Sequence, residues 1–237
     1  MHWIHGLIIY GLTASATFAS VNWQDARWIW CAPPAQTANS QPGAGTVFFR
    51  TNFAISERAP VTEAHLLVTA DNLYEVSING HVVGSSTNNP DDWNKPNRFD
   101  VASLLVLGDN IIAVQAINPV PGLILRLSIK QADGGTVDVF TSKAWSCTSN
   151  QEPNWNQKDF NDQAWKPAYE VGAHGCSPWG KLPIPTSLHP LGKNETDKEE
   201  PVPAHFKWPE QILFVEDDCT PVLSMRHGKT PSENLSI

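Results

Sequence analysis

The chain has 237 residues, 41% of them hydrophobic and 17% charged, enough apolar material to bury a core without relying on metals or staples. Its formal net charge is −8, and no run of Lys or Arg is present to follow a phosphate backbone. Nucleic acid and anionic membrane surfaces are therefore excluded as partners.

The first nineteen residues lack Asp, Glu, Lys and Arg. Leu7 to Leu12 forms an apolar run followed by small residues ending Thr17-Phe18-Ala19, with Ala14-Ser15-Ala16 as a second cleavage position. This pattern predicts a secretory signal peptide over 1–19, and so an extracellular protein, or a periplasmic one in a bacterium. The run is too short for a membrane span and is broken by Gly6, Gly11, Thr13 and Ser15. No span is expected after signal removal.

Thr46 to Phe53 alternates Val47, Phe49, Thr51 and Phe53 against Phe48, Arg50 and Asn52, the period-2 pattern of a strand with one face buried. Ala64, Leu66, Val68 and Ala70 repeat it, and so do Tyr74, Val76 and Ile78. Asn79-Gly80 then supplies the positive φ angles of a tight hairpin, from which Val82 and Val83 return. Ser85 to Asn97 has no periodicity and reads as a long exposed loop.

After Phe99 to Leu105, Gly108-Asp109-Asn110 turns into Ile111 to Ile117, apolar on both faces and so expected at the centre of a sheet. Leu123, Leu125, Leu127 and Ile129 form another alternating run, and Asp133-Gly134-Gly135 turns into Val137 to Thr141. About eight strands in succession with no helical period predict an all-β protein, a β-sandwich over 22–182. Residues 142–182 carry Trp145, Trp155, Phe160, Trp165 and Trp179, which should pack back onto it.

From Pro183 the composition turns to proline and charge, predicting a linker over 183–208. Residues 209–237 hold one good strand, Ile212 to Val215, read as a tail or the start of a truncated second domain. The acidic Glu216-Asp217-Asp218 after it resembles the first strand of a receiver domain, which would need a whole α/β fold to follow.

Four cysteines, Cys31, Cys147, Cys176 and Cys219, allow up to two disulfides in an oxidising compartment. The pairing favoured is Cys147 with Cys176, both in the same loop-rich segment. Their spacing fits no zinc pattern.

Several landmarks occur in a recognisable order: Trp28-Ile29-Trp30, Phe49-Arg50-Thr51-Asn52-Phe53, Asp71 to Gly80, Phe99-Asp100-Val101, Gly108 to Val114, and Trp155 followed by Phe160 to Trp165. This succession resembles the galactose-binding-like sugar-binding domains attached to glycoside hydrolases of families 2 and 78, the latter the α-L-rhamnosidase N-terminal type. The resemblance covers about residues 27 to 182. It implies a jelly roll whose ligand contacts, where present, lie on loops at one end, and a role as carbohydrate binder or as a brace for a catalytic domain. Structural calcium is common in such jelly rolls, and the acidic loops here would suit it without singling out ligands.

Sugar recognition calls for a flat apolar surface beneath the ring and planar polar groups around its hydroxyls. Within Asn88 to Asn94, Trp93 is the candidate platform, with Asp91, Asp92 and Asn94 as polar contacts. Against this stands a framework role for Trp93, one of ten tryptophans. Asn72, read as part of an Asx turn with Asp71, and Asn118, at the end of the central strand, are secondary candidates.

Glycosidase chemistry needs two carboxyl groups about 5 to 9 Å apart across the substrate. Asp91 and Asp92 are adjacent in one loop, and Glu75 and Glu170 are isolated in sequence, so no catalytic residues are expected. His174-Gly175-Cys176-Ser177 brings an imidazole near a thiol and a hydroxyl, but lacks the Gly-x-Ser-x-Gly elbow of a nucleophile. Asn194 and Asn234 begin glycosylation sequons, meaningful in a eukaryotic host.

Overall fold

The computed structural model describes residues 22–31, 45–87, 89–192, 213–214 and 221–222, with the backbone alone at residues 90, 118–121, 213–214 and 221–222. The expected signal peptide, Cys219, the sequons and the chain from 193 to 212 lie outside the described residues. Among those described, no helix is long and apolar enough to cross a membrane.

Ten antiparallel strands make up the body: β1 (Arg27–Trp30), β2 (Gly45–Ile55), β3 (Val61–Ile78), β4 (His81–Ser85), β5 (Asn97–Asp100), β6 (Gly108–Gln131), β7 (Thr136–Phe140), β8 (Ser146–Thr148), β9 (Lys166–Pro167) and β10 (Tyr169–Ala173). The runs expected as separate strands either side of Asp71 are one strand, β3, and those either side of Asn118 are one strand, β6. Both change layers partway. Val61–Asp71 of β3 pairs with Gly122–Gln131 of β6, whereas Leu73–Ile78 pairs with Ile112–Ile117.

The first layer adds β4 beside β3, and β2, β8 and β9 beyond β6. In the second layer β5 lies beside β3; β7 and β1 both pair with β6, and β10 pairs with β1. Thr141 joins β1 and β7 end to end: its Oγ1 donates to the Arg27 carbonyl at 2.6 Å and accepts from Leu125 N at 3.1 Å.

The inner faces hold one core. Ala64, Leu66, Val68, Ala70, Val76 and Ile78 of β3 meet Ile112, Val114, Leu125 and Leu127 of β6, as the alternation requires. Ile111 and Ala113, on the other face of β6, are equally buried, which explains a run from Ile111 to Ile117 that is apolar on both faces save for Gln115. Asn79 and Gly80 take φ of 51° and 82° at the hairpin tip.

Two tryptophan-bearing segments cover the outer faces. On the first layer, 149–165 packs Trp155 edge-on to Phe48 and Trp165 against Phe160. On the second, Trp23, Ala26, Trp28, Leu67, Ile124, Trp179 and Leu182 form a separate buried cluster.

The disulfide joins Cys31 to Cys147, Cα to Cα 5.6 Å, instead of the expected Cys147 to Cys176. Cys147 points inward from β8 into the core, where the end of β1 reaches it, while Cys176 packs on the outer cluster across the second layer. Nor does the sandwich end at Pro183. His189 N donates to the Arg98 carbonyl at 2.7 Å and Gly192 N to the Val83 carbonyl at 3.0 Å, strapping residues 183–192 across the edges of β5 and β4. Beyond it, Leu213–Phe214 (β11) pairs with Pro221–Val222 (β12), inside the segment where one strand was expected.

Candidate functional site

Where β3 and β6 change layers, their registers part. Asp71 faces Gly122 and Leu73 faces Ile117, so the register passes from 122 to 117 across the single residue Asn72. Asn72 and the backbone of Asn118, 46 residues apart in sequence, therefore lie on facing strands at the same bend. The Asp71-Asn72 pair is not a turn between strands but the bend inside β3, and its peptide bond is cis.

Asp71 projects on the outer face together with Leu67 and Thr69, four and two residues before it. Only 6% of its surface is exposed. The indole of Trp179 donates from Nε1 to Asp71 Oδ2 at 2.9 Å. Trp179 stacks on Trp28 with ring centroids 4.3 Å apart, directly over Gly122, where a Cβ would come within 2.6 Å of the Trp179 ring. Glycine is required there by this close approach. Burial pushes the Asp71 carboxyl up to about 7, and the indole N–H offsets only part of that.

The loop before β5 folds as a 3-10 turn, Pro90–Asn94. Asn89 caps it, its side chain accepting from Asp91 N at 3.1 Å. Thr69 Oγ1 donates to the Trp93 carbonyl at 2.7 Å, holding this turn two residues from Asp71 on the same face. Trp93 is half-buried against the outer cluster that contains Trp28 and Trp179.

Asp91 and Asn94 are exposed. Asp92 is engaged within its own loop, accepting from Thr87 Oγ1 at 2.8 Å, Asn89 Nδ2 at 3.3 Å and Lys95 Nζ at 2.7 Å. These donors hold its carboxyl below the ordinary value, Lys95 foremost.

The structure thus holds Trp93 and its turn against the outer face of β3, two residues from Asp71, with Asn72 at the bend that follows and the backbone of Asn118 across it. It adds Asp71 and Trp179 to the site. Asp71 reads from the sequence as half of a polar pair closing a turn, and Trp179 as one of the residues that pack back onto the sandwich. Their contact with each other carries no signal there, since it spans 108 residues. Among the described residues, no three His, Cys, Asp or Glu side chains gather as a metal site.

No family model matches the chain. An α-L-rhamnosidase of Streptomyces avermitilis is 32% identical over 171 residues, which is 69% of this chain and 16% of that protein. The chain thus spans only a small fraction of its relative's length. The crystal structure of S. avermitilis α-L-rhamnosidase complexed with L-rhamnose matches at a TM-score of 0.61 and 31% identity, over 69% of this chain and 16% of that one. A Bacillus family 78 rhamnosidase matches at 0.56 and 25% identity, over 68% of this chain and 20% of its own. The Pleurotus ostreatus lectin shares the fold, with a TM-score of 0.55 at 23% identity over 68% of this chain and 46% of its own. Over 69% of its length the chain is homologous to part of the family 78 α-L-rhamnosidases, and it carries a galactose-binding-like β-sandwich.

Proposed function

We propose that the chain is a secreted, non-catalytic carbohydrate-binding module whose sugar lies against the Asp71 end of the second layer. The observation that carries this is the attachment of the Trp93 turn to β3 at Thr69, two residues from the buried Asp71 and beside the bend that holds Asn72. An aromatic ring beside polar groups on a rigid frame is what a sugar ring needs. The first sugar to test is L-rhamnose, present in the complex of the S. avermitilis relative. Second is GalNAc, bound in a complex of the P. ostreatus lectin.

A positioning role suits the carboxylates on this face better than acid and base catalysis. Asp71 is held by Trp179, and Asp92 is spent on Lys95, Thr87 and Asn89. Secretion accords with the buried Cys31–Cys147 disulfide, a bond that persists in oxidising compartments, and with the apolar N-terminal run. Calcium belongs to the same proposal. A divalent ion beside Asp71 would supply the positive charge its burial calls for, its remaining ligands drawn from amide and carbonyl oxygens.

Isothermal titration of the full chain with L-rhamnose, GalNAc and a control hexose, with calcium and with chelator, tests this. Trp93→Ala is expected to weaken binding at least about tenfold, the scale of a lost ring contact of 1.5 kcal/mol or so, while the protein remains folded. A folded protein that binds none of these sugars, with or without calcium, overturns the proposal. A second reading, a structural accessory domain of a longer enzyme, draws on the match to only 16% of the S. avermitilis relative. Under that reading Trp93→Ala changes stability and no affinity.

A further inference from the structure

We propose that Ala173–Leu182 is a pH-released cover over the Asp71 face, latched by the neutral imidazole of His174. The segment leaves β10, whose Ala173 is in register with Arg27, and turns back through bonds from Cys176 N to the Ala173 carbonyl and from Gly180 N to the Cys176 carbonyl. It ends where Leu182 N donates to His174 Nε2 at 2.9 Å, closing the loop on itself. The imidazole stacks on Trp23 with ring centroids 5.7 Å apart, fixing the closed loop to the N-terminal segment. Within that loop Trp179 is carried onto Asp71 and Trp28 and is only 4% exposed. Of the bonds that fold the cover on itself, the one that joins its end to its start needs a lone pair on a histidine nitrogen.

Protonation removes the lone pair. An imidazolium is a donor at both nitrogens, so it cannot accept from Leu182 N. The charged residues on the segments meeting here are Lys181 on the loop itself, Asp25 beside Trp23, Arg27 opposite Ala173, and Asp71 beneath Trp179. Burial holds His174 below the ordinary histidine value, and the nearby Lys181 charge pushes the same way. The latch is accordingly closed at neutral pH and opens in acid. What it covers depends on the Asp71 face being the binding face, but the latch is read out without any sugar.

Hydrogen exchange of the full chain, corrected for the intrinsic pH dependence of exchange, reads the latch directly. Protection across 174–182 is expected to fall severalfold between pH 7.5 and pH 5, while β6 stays protected. His174→Gln retains an acceptor at every pH and is expected to abolish that fall, both proteins being compared in an Asp71→Asn background because Asp71 titrates at about 7 beneath Trp179. A flat profile with His174 in place, or the same profile in the variant, overturns the proposal. Should the variant not fold, the wild-type NMR titration decides: the Leu182 amide resonance must move with the His174 imidazole, and an unmoved Leu182 overturns it.

Discussion

The two outer faces of the sandwich solve one problem differently. Each is covered by a tryptophan-rich segment and buries charge beneath it; Arg126 of the second layer, 5% exposed, is answered by Asp138 and Asn22, and one further side chain on each layer makes the contrast. On the first layer that side chain is Arg50, 1% exposed, which donates to the carbonyls of Trp155 at 3.0 Å and Gln157 at 3.4 Å. It also pairs through Nε with Asp162 at 3.2 Å and lies 5.0 Å from the Phe160 ring centroid. On the second layer it is Asp71, held by the single indole N–H of Trp179. Arg50 has several partners, though burial still lowers its pKa by more than Asp162 raises it, and its charge ties the covering segment to the sheet. Asp71 is under-compensated, and its raised pKa marks where the fold holds charge at a cost.

The largest effect that would break this contrast comes from Arg50→Ala. Removing the hub of 149–165 strands Asp162 and two carbonyls, and is expected to cost about 3 to 5 kcal/mol in urea unfolding. Sugar affinity of the molecules that remain folded should not change. An affinity that fell in step would show the two faces to be coupled.

Asp71→Asn is expected to act with the opposite sign. The native carboxyl titrates near 7 and the unfolded one near 3.8, so between those values the native state holds a proton that the unfolded chain lacks. Wild-type stability therefore falls as pH rises from about 4 to about 7. In calcium-free buffer the variant should gain on the order of 3 kcal/mol at pH 8, a gain that vanishes near pH 4. It should lose sugar binding at both. A variant equally stable at pH 8 and weaker at pH 4 would make Asp71 an ordinary structural carboxylate.

The smallest effect sharpens the contrast from within the binding face. Lys95, whose side chain is 71% exposed, pairs with Asp92 three residues away, and such pairs are screened by solvent. Lys95→Met should leave the unfolding midpoint unmoved. A resolved shift would mean that Asp92 is framework rather than a surface group.

Much of the sandwich was legible because alternation reports burial directly. Ala64 to Ala70, Tyr74 to Ile78 and Leu123 to Ile129 face the core as their spacing requires. The layer change was not legible, since a polar pair interrupting a strand reads identically as a turn or as a bend. Asp71-Asn72 was taken for the first and is the second. The Cys31–Cys147 bond escaped because local crowding says nothing about partners 116 residues apart. Trp93 was readable as an aromatic in a polar loop. Its neighbours were not, because the attachment of that loop depends on Thr69 and the cover above it on Trp179, both distant in sequence.

The strap of residues 183–192 bears on how this protein behaves in concentrated solution. β4 and β5 each pair with β3 alone in their layers and so present outward rows of amides and carbonyls, the template on which a second molecule adds a strand and aggregation begins. His189 occupies the Arg98 carbonyl of one row and Gly192 the Val83 carbonyl of the other. Three prolines, Pro183, Pro185 and Pro190, bring no amide hydrogen to the strap that covers them, so it caps two edges while recruiting few new partners itself. A segment whose composition suggested a spacer is thereby a guard against self-association.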